Sequence, residues 1–318
     1  MFDILLSADA YVPDHDCAVR QAADELGVRP TDAKRFVRNP EQRIVWSYTK
    51  IHPDRRVAPT LLEFLATLPD TPGWAPGKHY DHVPEIAAAQ GNRPARLHST
   101  VVGVRDVPAL AQRLATIGVT HRLTEPSEAY PFPRLWVGND PTQPHVHDPK
   151  ADGGTHLEFL PTAVLRLPEP EPVDHVEVEE GAAVRISART ILVANLSDTL
   201  RRYESHFDWT PISAPSRGAD GVLRARFRPE YPRGADLELI EAGPSAHGYE
   251  ADFARAHGHG ACSIRLAVRD VAAARARLSG LGVRCLHGVE LDEVGERLIR
   301  PAEFKLGTAF ELVEWDGS

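Results

Sequence analysis

Cysteine is scarce in this chain of 318 residues: Cys17, Cys262 and Cys285 lie far apart, are odd in number and make no CxxC pair. That fits a reducing cytosol better than a disulfide framework, and each reads as a small core residue. Long apolar runs are missing too. No stretch of about 18 uncharged apolar residues occurs, and the opening MFDILLSADAYV has neither a basic leader nor a small-residue cleavage site. The expectation is a cytoplasmic protein with no membrane partner. Basic excess is also lacking: the formal net charge is −9 and the arginines are scattered, which argues against a nucleic-acid partner. What remains is an ordinary globular composition, 42% hydrophobic and 25% charged, long enough for two domains.

What is present is a repeat. The phrases IHPDRRVAPTLLEFLA, HDPKADGGTHLEFLP, FRPEYPRGADLELIE and IRPAEFKLGTAFELVEW each carry a proline, a turn and a glutamate set in an apolar run. The pairs are Pro53 and Glu63, Pro149 and Glu158, Pro229 and Glu238, and Pro301 and Glu311, at intervals of 10, 9, 9 and 10 residues. Self-similarity of this kind marks one supersecondary unit used several times.

Upstream of each glutamate lies a helix signal, and upstream of that a strand. Ala18, Ala22 and Leu26; Leu110, Leu114 and Ile117; Leu200, Tyr203 and Phe207; and Val271, Ala274, Leu278 and Leu281 recur at helical spacing. Asp106 and Asp270 are placed to cap two of these helices, and Gly27, Gly118 and Gly282 to end three. The preceding strands are FDILLSA, HSTVVGV, ARTILVA and CSIRLAV, and alternating segments such as VLRARFRP fill the space before the glutamate. The predicted unit is βαβββ, at 1–68, 95–163, 184–243 and 260–318. The Pro-Glu stretch 165–183 reads as a linker between domains 1–164 and 184–318. The segment between the first two units carries Trp74, Tyr80 and His82 and reads as a lid.

Tandem βαβββ units with a glutamate in the last strand resemble the vicinal-oxygen-chelate superfamily, which includes glyoxalase I, methylmalonyl-CoA epimerase, extradiol dioxygenases and bleomycin-resistance proteins. NLSDTLRRYESHFDW is similar to the family's opening helix, and CSIRLAVRDVAAARARLSGLGV to its second-unit strand and helix. The resemblance implies an α+β fold in which units pair into two cup-shaped, glyoxalase-like domains. It also implies a metal held by the first and last strands of a pair.

Carried over residue by residue, the last-strand position falls on Glu63, Glu158, Glu238 and Glu311. The first-strand position falls near Ile4 or Leu6, on His98, near Ala188 or Thr190, and on Ser263. Glu63, His98 and Glu158 are therefore the expected ligands of a divalent ion (Zn, Ni, Mn, Mg or Fe), with Glu63 and Glu158 as catalytic carboxylates. His98 lies eight residues before Asp106 where Ser263 lies seven before Asp270, so a bulge is needed to bring it to the same face. The C-terminal pair offers two carboxylates and no imidazole, which argues against an extradiol dioxygenase of the usual kind. There a degenerate site, its glutamates paired with arginine, is preferred. His145, His147 and Asp148 in PHVHD have metal-gripping spacing but read better as an exposed loop. Trp46, Trp74, Tyr80 and Trp136, with Glu238 and Glu311, are the candidate ligand-binding residues.

The implied function is a metal-dependent lyase or isomerase acting on a small oxygenated metabolite in the N-terminal cup. The alternative is an antibiotic-type sequestering protein of the bleomycin-resistance kind. No nucleotide cofactor is expected, and either a monomer or a homodimer is compatible.

Overall fold

A computed structural model describes residues 2–11, 15–28, 36–39, 44–67, 96–128, 130–142, 147–171, 173, 176–285, 290–291, 297–299 and 309–315. The fold is mixed α+β, built on two eight-stranded sheets. The first uses β1 (Ile4–Tyr11), β2 (Phe36–Asn39), β3 (Ile44–Thr49), β4 (Leu61–Thr67), β5 (Arg96–Val104), β6 (His121–Thr124), β7 (Arg134–Val137) and β8 (Leu157–Pro161). Its order is β2-β3-β4-β1-β5-β8-β7-β6. The second uses β9 (Ala183–Leu192), β10 (Ser216–Arg217), β11 (Val222–Phe227), β12 (Asp236–Ala242), β13 (Gly260–Val268), β14 (Glu290–Leu291), β15 (Arg297–Ile299) and β16 (Ala309–Glu314). Its order, β10-β11-β12-β9-β13-β16-β15-β14, repeats the first strand for strand.

In each sheet two antiparallel strands form the middle, β1 with β5 and β9 with β13. Each middle strand has a glutamate strand parallel to it on its other edge: β4, β8, β12 and β16. This order brings all four glutamates beside the central strands.

Helices His15–Leu26, Val107–Thr116, Leu196–Phe207 and Val271–Gly280 follow the four central strands. Asp106 accepts from the Ala109 N–H at 2.9 Å and Asp270 from the Ala272 N–H at 2.7 Å, the two predicted caps. Gly118 and Gly282 end their helices at φ +71° and +76°, in the left-handed region that a side chain resists. The second half's first helix is capped by Asn195, which accepts from Asp198 N–H at 2.8 Å. Helix Tyr249–His257 was not foreseen in the sequence.

The two sheets share one apolar core. Phe2 and Phe159 of the first half meet Trp209 at ring distances of 4.8 and 5.8 Å, and Tyr203, Phe207 and Phe227 complete the cluster. Tyr203 donates to Thr155 Oγ1 at 2.6 Å, and Glu230 and Tyr231 N–H groups donate to the Phe2 and Asp3 carbonyls at 3.0 and 2.8 Å. The Pro-Glu stretch is packed as well: Val173, Val176 and Val178 lie against Val57, Val184 and Trp315. Among the described residues no helix is long and apolar enough to cross a membrane.

Candidate functional site

Strand register decides which side chains stand beside each glutamate. Glu63 is level with Asp9, Glu158 with Val101, Glu238 with Thr190 and Glu311 with Arg265. The sequence placed the first-strand positions near Ile4 or Leu6, on His98, near Ala188 or Thr190, and on Ser263, so register agrees at Thr190 alone. Between Ala8 and Ala10 the pairing of β1 with β5 slips by one residue, at His98 and Ser99. β13 carries the same slip between Ala261 and Ser263, so His98 stays one residue out of step with Ser263; the side chain of His98 lies outside the described residues.

In the second sheet both glutamates converge on one guanidinium. Arg265 Nε donates to Glu311 Oε2 at 3.1 Å, and its Nη2 lies 3.7 Å from Glu238 Oε2. Glu238 also takes Arg226 Nη2 at 3.2 Å and the Thr190 hydroxyl at 2.9 Å. All are buried save Arg226, which is half-buried: Arg265 is 3% exposed and each glutamate 2%. Burial alone would raise the Glu238 carboxyl, but Arg265 and Arg226 outweigh it and hold it below its ordinary range.

Above this floor opens a cleft of about 810 Å³. Its walls carry Arg185, Arg228 and Arg233, with Tyr231, Val313 and Trp315 on the apolar side. That size suits a small molecule.

The first sheet solves the same problem differently. Arg134 donates twice to Glu158 Oε1, from Nε at 2.6 Å and from Nη2. Its guanidinium lies over the rings of Tyr130 and Trp136, 4.7 and 5.0 Å from their centroids. Trp136 thus supports the arginine that holds Glu158. Glu63 accepts from Ser7 Oγ at 3.3 Å and shares a hydrogen bond with Asp9. Burial, then the Asp9 and Glu158 charges, push the Glu63 carboxyl well above its ordinary value of 4.5. Tyr48 is level with Glu63, and Trp46, on the same face two residues away, is 5% exposed. Trp74 and Tyr80 lie outside the described residues.

Among the described residues the donor atoms do not fit a divalent ion. At Glu158, Glu238 and Glu311 a guanidinium already stands on the carboxylate, and a metal there would meet its positive charge; at Glu63 burial and the neighbouring Asp9 favour the protonated form. Among the described residues no three His, Cys, Asp or Glu side chains are grouped to hold a metal. Of the PHVHD segment, His147 and Asp148 are engaged internally. His147 Nε2 is 3.1 Å from buried Asp152, His147 stacks on His156 at 3.9 Å, and Asp148 caps the short helix Pro149–Asp152. Burial and the neighbouring His147 lower His156 to about 4. His145 lies outside the described residues.

Asp9, Arg134 and Arg265 were missed in the sequence reading. Each is a charged residue inside an apolar strand, the same anomaly that drew attention to the glutamates.

No family model and no curated protein matches the chain. Solved structures do. A variant of 4-hydroxymandelate synthase from Streptomyces coelicolor is 17% identical, with a TM-score of 0.60 over 100% of this chain and 93% of its own. A variant of homoprotocatechuate 2,3-dioxygenase from B. fuscum is 13% identical, with a TM-score of 0.57 over 99% of this chain and 72% of its own. A fusion of a xylose isomerase-like TIM barrel with 4-hydroxyphenylpyruvate dioxygenase is 13% identical at a TM-score of 0.56, over 99% of this chain and 49% of its own. Similarity along the whole chain at such low identity is similarity of fold, and the protein has the fold of the vicinal-oxygen-chelate superfamily.

Proposed function

We propose that this protein binds a small molecule in its C-terminal cup without a metal ion. The chain is read as four βαβββ units paired in two halves, 1–164 and 184–318, joined by 165–183. The observation that carries the reading is Arg265, whose guanidinium lies between Glu238 and Glu311 where the resemblance would seat a metal. A fixed cation on the cup floor can orient an oxygen-bearing ligand by hydrogen bonding, in a site that burial keeps at low dielectric.

Two measurements test it. Protein purified without chelator should carry well below one Mn, Fe, Co, Ni or Zn ion per chain. A thermal-shift screen of small metabolites should yield hits that EDTA leaves unchanged. Those hits should disappear in Ser187→Trp, which puts an indole into the cleft that Ser187 lines. Stoichiometric metal, or hits indifferent to Ser187→Trp, would refute the reading.

One observation favours a second reading, lyase or isomerase chemistry in the N-terminal cup. Glu63 and Asp9 are two buried carboxyls in contact, and such a pair retains a proton it can donate or take back. Because the folded carboxyl titrates above its unfolded value of 4.5, its contribution to stability is complete below that pH and is lost as pH rises. Glu63→Gln should therefore match wild type near pH 4 and become progressively more stable than wild type toward pH 8. Parallel urea-denaturation curves across that range would show that Glu63 is ionised in the fold.

A further inference from the structure

Among the arginines around the C-terminal cleft, Arg226 and Arg265 bind the floor carboxylates, while the hydrogen bonds that Arg228 and Arg233 make to described residues are long. Arg228 reaches Asp236 only at 3.4 Å, and its side chain is 62% exposed. Arg233 meets a single acceptor among the described residues, the Arg56 carbonyl, at 3.5 Å.

The backbone at Arg233 is unusual. Tyr231, Pro232, Arg233 and Gly234 form a tight turn closed by Gly234 N–H donating to the Tyr231 carbonyl at 3.1 Å. Proline at the second position suits a type II turn, whose third residue must take positive φ and is ordinarily glycine. Here the third residue is Arg233, at φ +61°, with the glycine one place later. A left-handed arginine costs stability that glycine would not, and this one stands on the wall of a cleft. The same lining includes the apolar Val313, Ala267 and Trp315.

We infer that the cleft takes a small molecule with an apolar body and one anionic group, a carboxylate or a phosphate, held by Arg233 and Arg228. This rests on the C-terminal cup being the binding site. Guanidinium forks match the paired oxygens of either anion, whereas a neutral amide of the same shape offers one acceptor and two donors that arginine cannot use. Trp315 and Val313 give the body of the ligand an apolar wall.

The test uses the full chain and three probes of one size: benzoate, phenyl phosphate and benzamide, titrated by calorimetry or saturation-transfer NMR. At least one of the two anions should bind about tenfold or more tightly than benzamide. A preference for benzoate assigns a carboxylate ligand, and a preference for phenyl phosphate a phosphate. Arg233→Gly should lose that advantage while melting at or above the wild-type temperature, because glycine suits the turn. A variant that binds like wild type overturns the inference, as does equal binding of benzamide or no binding of any probe. None of these results bears on the metabolite screen and metal content that decide whether the cup is a metal-free site, so the two failures are separable.

Discussion

Arg265→Ala is expected to destabilise the protein by about 3–5 kcal/mol, because it takes the guanidinium from two buried carboxylates at once. Glu311 loses the donor at 3.1 Å, and Glu238 keeps Arg226 and Thr190 but loses its neighbour at 3.7 Å. Urea denaturation at pH 7 measures the deficit. Since Arg265 holds the Glu238 carboxyl low, the stability it confers is present above the unfolded value of 4.5 and is lost as pH falls. The gap between variant and wild type should therefore hold above pH 4.5 and narrow as pH falls below it. Pairing the substitution with Glu311→Gln should recover part of the loss, since the remaining group is neutral. An Arg265→Ala protein as stable as wild type at pH 7 would mean the carboxylates are compensated by other groups.

The second large effect is expected at Trp209. It is 3% exposed and touches aromatic rings from both halves, Phe2 and Phe159 from the first and Tyr203 and Phe207, on helix Leu196–Phe207, from the second. Trp209→Ala should cost about 3–5 kcal/mol, the range for emptying a large aromatic from a core. The shared core should make wild type melt in a single calorimetric transition. The variant should melt about 10 °C lower and in a broadened or split transition. It should also become sensitive to protease within 165–183, where valines pack against both halves. Loss of stability with one sharp transition retained would show that the halves are joined chiefly elsewhere.

The parts of the fold readable in the sequence are those set by short-range chemistry. Asp106 and Asp270 cap helices as their positions suggested, and each proline-to-glutamate phrase with described strand residues ends in a strand beside a central one. Across the sheet, spacing misleads. The position carried over from the resemblance is Ser263, whereas the pairing of β13 with β16 sets Arg265 against Glu311, two residues further on. Register is fixed by contacts between segments some 46 residues apart, which no local pattern encodes. The signal that could have found Arg265 and Asp9 is chemical: CSIRLAV and ILLSADAYV each hold a charge that an apolar strand would not keep unpartnered.

A metal ion must be captured from the cell, competes with protons for its ligands, and can be stripped by a chelator. The charge on the floor of the C-terminal cup has none of these dependencies, because a guanidinium stays protonated at any pH a cell reaches and is made with the chain. In the proposed metal-free reading, metal starvation would leave this cup unaltered. The cost is fixed chemistry: arginine can attract and orient an oxygen, but it has no vacant coordination position to offer a second ligand.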